Sequence, residues 1–309
     1  MKPLTALAAA LFAAIALLFT SPPASATFPG ENGRLALVWT FEPPEEVTTD
    51  VILTARATTG AKIDDVTVCN YGCHSDSPDW SPNGRLAFVL QRFDGDLSWL
   101  VTSRADGSDV ELAYQPPGGA GLSDAAWSPD GRWIAFTRHW WSKRGRGPFV
   151  SDVYVVRRSG NHLSRLTRTP RRWEVELDWS SENRLVFRSQ HGTWLKKRSE
   201  LFTMRPDGLG LHQLTHNTVR DSEPNWAPGG RRLVFVHRNK EIWLIGLWGK
   251  GATMVAQGRD PTWAPDGSRI AYVGVDGLIH TIKPAGAGDV VVGSPVTEGF
   301  ISQLDWRPR

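Results

Sequence analysis

The stretch from Ala125 to Thr137 reads "AAWSPDGRWIAFT", a tryptophan followed by a short polar segment and then an apolar run. Proline suits the first corner of a tight turn because its φ is fixed, and Asp-Gly completes such a turn. The run that follows alternates large apolar residues with smaller ones, which is typical of a β-strand. The stretch therefore predicts two antiparallel strands joined by a tight turn.

The same pattern recurs along the chain, and its tryptophans are separated by 47, 52, 47, 37 and 43 residues. In one copy Glu182-Asn183 replaces Asp-Gly, and asparagine tolerates a left-handed conformation better than most other residues. A second pair of strand-like runs around a glycine turn follows each copy, as in "SDVYVVRRSGNHLSRLT" from Ser151. Four strands in each repeat of 40 to 50 residues, with tryptophan at a fixed place, indicate a β-propeller. The tryptophans are Trp80, Trp127, Trp179, Trp226, Trp263 and Trp306.

The two ends of the mature chain each carry half of one further copy. "ENGRLALVW" from Glu31 has the turn and the strand but lacks the preceding tryptophan and proline, and "LDWRPR" from Leu304 supplies them. Pairing of the last strand with the first removes the open edges that an unclosed array of sheets would expose. We therefore predict an all-β fold, a six-bladed β-propeller with four-stranded antiparallel blades over residues 27–309. It is closed by the C-terminal strand joining the N-terminal blade.

At these residues the sequence resembles the TolB-like propeller family, whose repeat has the same W-S-P-D-G form followed by a strand and a second Asp-Gly turn. The resemblance extends from Thr27 to Arg309 and concerns the propeller part of that family only. It implies a six-bladed propeller.

The first 26 residues have the pattern of a secretory signal peptide. Lys2 precedes an apolar run of 14 residues from Ala6 to Phe19, and Ala24-Ser25-Ala26 forms a cleavage site of the A-x-A type. The run is shorter than the roughly 20 residues of a spanning helix. We therefore expect a soluble, monomeric protein without a membrane span, cleaved after Ala26 and located in the periplasm or outside the cell.

Charge and cysteine content indicate which partners and cross-links the sequence favours. Without Lys2 the chain carries 34 basic and 32 acidic residues, a balance that gives no basis for nucleic-acid binding. Cys69 and Cys73 are the only cysteines, and export to an oxidising compartment favours a disulfide between them. A metal site that includes the neighbouring His74 is the alternative, although a closed zinc site needs four ligands.

One polar residue stands three positions before each tryptophan, and four of the six carry carboxylates. A propeller brings these positions to the mouth of its central channel, where like charges raise one another's pKa or attract a cation. The ring could hold a divalent metal or a basic side chain of a partner. Alternatively, each residue only accepts hydrogen bonds from the neighbouring blade. The residues are Ser77, Asp124, Glu176, Glu223, Asp260 and Gln303.

The irregular segments between repeats are rich in tryptophan and arginine, the residues most enriched at interface hot spots. Since functional loops concentrate on one face of a rigid scaffold, we predict a binding surface for a protein or glycan partner there. The alternatives are tryptophans that cover their own blade and a loop without fixed structure. The candidate binding residues are Trp140, Trp141, Arg144, Arg146, Arg171, Arg172, Trp173 and Trp194.

Motifs of catalysis are absent from the sequence: there is no G-x-S-x-G, H-E-x-x-H, phosphate-binding loop or calcium loop. We therefore predict no catalytic residue and no resident cofactor. The alternative is a metal-dependent lyase or lactonase in which His139, His191 and His237 join the four carboxylates around a divalent metal at the channel mouth.

Overall fold

The computed structural model describes residues 32–41, 49–56, 63–66, 73–92, 97–118, 120–141, 149–170, 172–191, 198–291 and 300–308. Within these ranges the chain consists of strands and turns, and it contains no helical segment with the length and hydrophobicity of a membrane span. The signal peptide of residues 1–26, the cleavage site and the Cys69–Cys73 pairing lie outside the described residues, so they remain predictions.

Twenty-three strands are present in the described ranges. The first eleven are β1 (Asn32–Phe41), β2 (Thr49–Arg56), β3 (Ile63–Asp65), β4 (Cys73–Trp80), β5 (Leu86–Arg92), β6 (Ser98–Ser103), β7 (Glu111–Tyr114), β8 (Gly121–Trp127), β9 (Trp133–Trp141), β10 (Phe149–Arg157) and β11 (Ser164–Arg165). The others are β12 (Arg172–Trp179), β13 (Leu185–His191), β14 (Ser199–Met204), β15 (His212–Gln213), β16 (Asp221–Trp226), β17 (Arg232–His237), β18 (Glu241–Gly246), β19 (Thr253–Trp263), β20 (Ile270–Gly274), β21 (Ile279–Ile282), β22 (Val290–Val291) and β23 (Phe300–Pro308).

The strands form antiparallel sheets of four, in the orders β23-β1-β2-β3, β4 to β7, β8 to β11 and β12 to β15. A seven-stranded sheet runs from β16 to β22 and contains two four-stranded units that share β19, because residues 253–257 pair with β18 and residues 258–263 pair with β20. We number the four-stranded units 1 to 6 in this order. The prediction of an all-β fold built from four-stranded antiparallel sheets is confirmed.

The tight turns have the chemistry that the repeat predicts. In unit 3 the N–H of Gly131 donates to the carbonyl of Ser128 at 2.9 Å, and Gly131 has a φ of 65°. In unit 4 Asn183 takes that place with a φ of 59°, and its N–H donates to the carbonyl of Ser180 at 3.0 Å. Asparagine therefore substitutes for glycine where the turn needs a left-handed residue.

The hydrophobic core of the described chain lies between consecutive units rather than within them. Trp127 at the end of β8 packs with Val89 and Leu100 of unit 2, and Trp226 at the end of β16 packs with Val186 of unit 4. The six repeat tryptophans are each at most 4 % exposed. Because truncating a buried tryptophan typically costs about 3–5 kcal/mol, each unit depends on its neighbour for stability.

The last strand belongs to the first sheet. Strand β23 pairs antiparallel with β1, so that Trp306 lies opposite Leu35 and Ile301 lies opposite Trp39. The carboxylate of Asp305 also accepts a hydrogen bond from the N–H of Trp80 in unit 2, at 2.9 Å. The C-terminal strand thus joins units 1 and 2 to each other.

Removal of residues 300–309 is expected to destabilise the whole protein, because it exposes the edge of β1 and removes the Asp305 acceptor from unit 2. We expect a thermal midpoint lower by at least about 10 °C, or aggregation, in a calorimetric or circular dichroism experiment. Addition of the peptide of residues 300–309 in trans should recover part of the loss. An unchanged midpoint in the truncated chain would contradict this role of β23.

Candidate functional site

Each unit's first strand has a β-bulge at the polar residue three positions before the tryptophan. All six residues adopt a left-handed conformation, with φ between 51° and 58°. The strand register shifts at the bulge, for example between Val175 and Asp178. A left-handed residue other than glycine costs about 1–2 kcal/mol, so each bulge must be held by a favourable contact. We call these residues the mouth set: Ser77, Asp124, Glu176, Glu223, Asp260 and Gln303.

The mouth set residues are joined by hydrogen bonds from one unit to the next. The carboxylate of Glu176 accepts the N–H of Glu223 at 2.7 Å, and the carboxylate of Glu223 accepts the N–H of Asp260 at 2.7 Å. The carboxylate of Asp260 accepts in turn from the N–H of Gln303. Each bulged N–H, which has left the strand ladder, is thereby satisfied by a side chain of the preceding unit.

The same pattern continues through the remaining three units. The side-chain oxygen of Gln303 accepts the N–H of Ser77 at 2.7 Å, and the hydroxyl oxygen of Ser77 accepts the N–H of Asp124 at 3.2 Å. The carboxylate of Asp124 accepts the N–H of Glu176. The hydrogen bonds therefore form a closed cycle, which is the arrangement that the structural interpretation of these residues predicts.

A second set of residues stands immediately before each tryptophan, and five of its six members have polar side chains. Asp178 accepts the N–H of Trp226 at 2.6 Å, and Asp79 accepts the N–H of Trp127 at 2.6 Å. These bonds again run from one unit to the next. The sequence analysis missed this set, although its constant spacing from the tryptophan was a usable signal. We call it the inner set: Asp79, Ala126, Asp178, Asn225, Thr262 and Asp305.

A central cavity of about 270 Å³ lies among the six first strands. Both sets contribute to its lining, together with the residues between them. Its lining includes seven carboxylates: Asp79, Asp124, Glu176, Asp178, Glu223, Asp260 and Asp305. A site so rich in acidic groups favours either proton uptake or the entry of a cation.

Burial shifts the acid strength of these carboxyl groups. It raises the pKa of Asp124 and that of Asp305 to about 6. It raises the pKa of Asp178 to about 7 and that of Glu223 to about 8. The pKa of Asp79 lies well above its usual range because of burial, with smaller contributions from Asp305 and Asp178. Near neutral pH the cavity therefore contains both protonated and ionised carboxyl groups.

Three arginines neutralise part of the mouth set. Arg188, whose side chain is 4 % exposed, places a guanidinium nitrogen 2.8 Å from the carboxylate of Glu176. Arg220 lies 3.6 Å from the same carboxylate, and Arg259 lies 2.6 Å from Asp260. Among the carboxylates that line the cavity, arginine contacts within the described residues involve only Glu176 and Asp260 of the mouth set.

Arg188 was not predicted, although the repeat carries a signal for it. It follows the aromatic residue of its strand, at a position where the other copies have an apolar or uncharged residue. This position is buried, so the guanidinium of Arg188 is buried as well. The equivalent residues are Val38, Val89, Thr137, Val236 and Val273. A departure from the repeat at a core position thus marks a functional or structural contact.

The predicted loop residues that the structure describes pack against their own sheets. Trp140 is half-buried, and the guanidinium of Arg165 lies 5.4 Å from its ring centroid. Trp173 is also half-buried, beneath Arg188 at 5.1 Å. Arg172 lies over the ring of Phe202 at 5.3 Å. Each indole therefore has a fixed orientation at the end of its strand.

Several predicted residues lie outside what the structure describes, and their roles stay predictions. These are Arg144, Arg146, Arg171 and Trp194, and the side chains of Trp141 and His191.

The structure describes two histidines of the metal hypothesis, His237 and His139. His237 shares a hydrogen bond of 2.6 Å with the buried carboxylate of Asp221. The ring of His139 occupies the space beside Gly121, where a Cβ would lie 1.9 Å from its Nε2, and burial lowers its pKa to about 4. Across the described ranges no three His, Cys, Asp or Glu side chains are placed to share a metal ion.

Comparison with solved structures identifies similar folds. TolB from Acinetobacter baumannii has a TM-score of 0.70 and 17% identity over 90% of this chain and 67% of that chain. A putative TolB from Agrobacterium tumefaciens has a TM-score of 0.56 and 17% identity over 91% of this chain and 100% of that chain. An oligogalacturonate lyase in complex with manganese has a TM-score of 0.56 and 12% identity over 79% of this chain and 71% of that chain.

No protein-family model matches the sequence, and no curated protein matches it. The structural likenesses, at identities of 17% and below, show the fold alone. A TolB-like propeller architecture is thus supported, and the neighbours include both TolB proteins and an enzyme.

The raised pKa values predict that stability falls as the pH rises. A carboxyl group whose pKa is raised in the folded protein keeps its proton at pH values where the unfolded chain has already released it. Its contribution to folding stability is therefore complete below the unfolded pKa and is lost as the pH rises through the folded pKa. For Glu223 this window runs from 4.5 to about 8. The variant Glu223→Gln keeps an acceptor oxygen and cannot ionise, so its free energy of unfolding at about pH 8 should exceed that of the wild type by about 1–3 kcal/mol.

Urea unfolding at about pH 5 and about pH 8 measures this difference, which should nearly vanish at the lower pH. Gln303 occupies the equivalent position in unit 1, and its side-chain oxygen accepts the same kind of hydrogen bond at 2.7 Å. A glutamine at position 223 can therefore form this hydrogen bond too. A destabilised Glu223→Gln protein at both pH values would contradict the assignment of a raised pKa to Glu223.

Proposed function

We propose that the six units form a six-bladed β-propeller, closed by the pairing of β23 with β1. In support, the first strands contact one another in the cyclic order β23, β4, β8, β12, β16 and β19, with β19 returning to β23. The hydrogen bonds of the mouth set follow the same order. Closure of this kind satisfies the strand edges that an open array would expose.

We further propose that this propeller is an exported, monomeric binding protein, and that its partner is a protein with a basic segment. A single observation carries this proposal, namely the cavity with its seven carboxylates at the centre of the first strands. Three arginines offset part of that charge, so the remaining acidity is available to a lysine, an arginine or an amino terminus. A cavity of about 270 Å³ can receive one such group but not a folded domain.

A bound cation would gain energy in two ways. An ammonium or guanidinium group favours the ionised form of the raised carboxyl groups, and it forms charge-assisted hydrogen bonds with them. The mouth set precedes the tryptophan by three residues, so it lies on the side of each first strand that is away from the tight turn and nearer the irregular segments. The partner would therefore enter from the face that also carries Trp140 and Trp173.

A catalytic function has less support. The oligogalacturonate lyase with manganese shares the fold, which is the one observation in favour of a metal-dependent lyase. In this chain His237 is engaged by Asp221, and His139 is enclosed beside Gly121. We therefore propose binding without catalysis.

Cation binding in the cavity is expected to strengthen with pH, since burial raises the pKa values of Asp124, Asp305, Asp178 and Glu223 to between about 6 and about 8. A fluorescent tetralysine peptide should bind several-fold more tightly at about pH 9 than at about pH 6, and tetraglutamate should not bind. Glu223→Gln should lose part of that gain. The matched control Glu182→Gln, on the face with the tight turns, should behave as the wild type. Equal loss in both variants, or affinity independent of pH, would reject the cavity as the binding site.

The double variant Trp140→Ala with Trp141→Ala is expected to abolish capture of the natural partner while the thermal midpoint changes little. Both residues end β9 at the face with the irregular segments, where tryptophan anchors an interface by its large apolar area. A pull-down from native culture medium or envelope fraction with immobilised protein measures capture. Undiminished capture by the double variant would exclude these tryptophans from the interface.

A further inference from the structure

A second cleft, of about 710 Å³, opens between units 3 and 4 on the face with the tight turns. Its volume lies within the range of small-molecule sites, which combine an apolar lining with a few polar groups. The apolar part comes from Trp133, Leu166 and the edge of Trp179, and the polar part includes Asp130 and Asn183. The cleft shares no residue with the central cavity and does not depend on the function proposed for it.

Trp133 in this cleft departs from the repeat. The carbonyl of Trp133 accepts the N–H of Ser128 at 2.9 Å, and four other units form the equivalent bond with an arginine at this position. Those arginines contact neighbouring groups, as Arg85 contacts Asp109 at 2.6 Å. In unit 3 an indole replaces the guanidinium and borders an open cleft. The arginines are Arg85, Arg184, Arg232 and Arg269.

The Trp133 indole is held in a fixed orientation. The guanidinium of Arg157 lies over its ring at 5.1 Å from the centroid, and the ring of His162 meets it edge-on at 6.5 Å. Trp133 is half-buried and packs on the core cluster between units 3 and 4. An aromatic ring that is already immobilised loses little entropy when a ligand stacks on it.

Hydrogen-bonding groups with unused capacity stand beside this ring. The Oδ1 of Asn183 accepts the indole N–H of Trp179 at 3.0 Å, and since an indole only donates, the amide NH2 of Asn183 remains to donate. The Oδ1 of Asp130 accepts from the Ser128 hydroxyl at 2.6 Å, while its Oδ2 has no hydrogen bond to the described residues. Beside the indole the cleft thus offers an amide donor and a carboxylate acceptor.

We propose that this cleft binds a neutral saccharide. A sugar ring has one face of C–H groups that packs on an indole, and a rim of hydroxyl groups that donate to a carboxylate and accept from an amide. A cationic ligand fits less well because Arg157 already lies over the indole and Arg165 borders the cleft. An anion would face Asp130 and Asp207.

The test uses the mature protein with maltotriose, cellotriose and chitotriose, each added at millimolar concentration. Binding at the cleft is followed in a proton–nitrogen spectrum of the indole N–H groups, in which the Trp133 signal is identified by its loss in Trp133→Arg. The affinity of the wild type and of each variant is measured by isothermal titration calorimetry. We expect at least one sugar to shift the Trp133 signal. The variant Trp133→Arg restores the residue of the other units, so it should fold normally and bind about tenfold more weakly or worse.

A second variant tests the cleft independently, in case Trp133→Arg does not fold. Asp130→Asn keeps the turn, because Asn83 holds the same place in unit 2, and it removes the charged acceptor. It should also weaken binding severalfold. Trp248→Arg is the matched control, an exposed tryptophan outside the cleft, and should bind as the wild type. The proposal is overturned if no sugar shifts the Trp133 signal, or if Trp133→Arg and Asp130→Asn bind as tightly as the wild type.

Discussion

The architecture depends on a single recurrent contact, in which a polar side chain of one unit accepts the bulged backbone N–H of the next. Each bulge places a residue such as Glu223 in a left-handed conformation that costs about 1–2 kcal/mol. A hydrogen bond to a carboxylate contributes about 1.5–3 kcal/mol, which is enough to offset that cost. Because the acceptor always belongs to the preceding unit, no unit can form its bulge alone. The contact therefore links neighbouring units and stabilises the bulge within each of them.

The same contact gathers acidic groups at the centre of the molecule. Glutamate and aspartate are good acceptors for a bulged N–H, but six of them in a circle would repel one another. The protein reduces this repulsion in three ways: Ser77 and Gln303 are uncharged, Arg188 and Arg259 pair with the set, and burial raises the pKa of Glu223 to about 8. A structural ring thereby acquires the charge properties of a cation site. The two interpretations of these residues, structural and functional, are compatible.

Departures from the repeat indicate where individual units differ. Ala126 stands in the inner set where Asp178 and Asn225 supply acceptors, and the following Trp179 uses the carboxylate of its own Asp178 at 2.7 Å instead. Arg188 replaces an uncharged strand residue and pairs with Glu176 of the mouth set. Trp133 replaces an arginine and borders the second cleft. In a protein of repeated units, residues that differ from the repeat indicate the chemistry of an individual unit better than residues that match it.

The amino-acid sequence by itself determined the repeat, the strand pairs, the left-handed turn at Asn183 and the positions of the mouth set, because these follow from local periodicity and turn chemistry. The partners of Glu176 and Glu223, the pKa of Asp178 and the burial of Arg188 were decided only by the tertiary structure. The hydrogen bonds of Glu176, Asp178 and Glu223 to the next unit join residues 37 to 48 positions apart in the chain, where neither periodicity nor composition specifies distance. The second cleft is of the same kind, since Trp133 and Asn183 meet only when units 3 and 4 pack together.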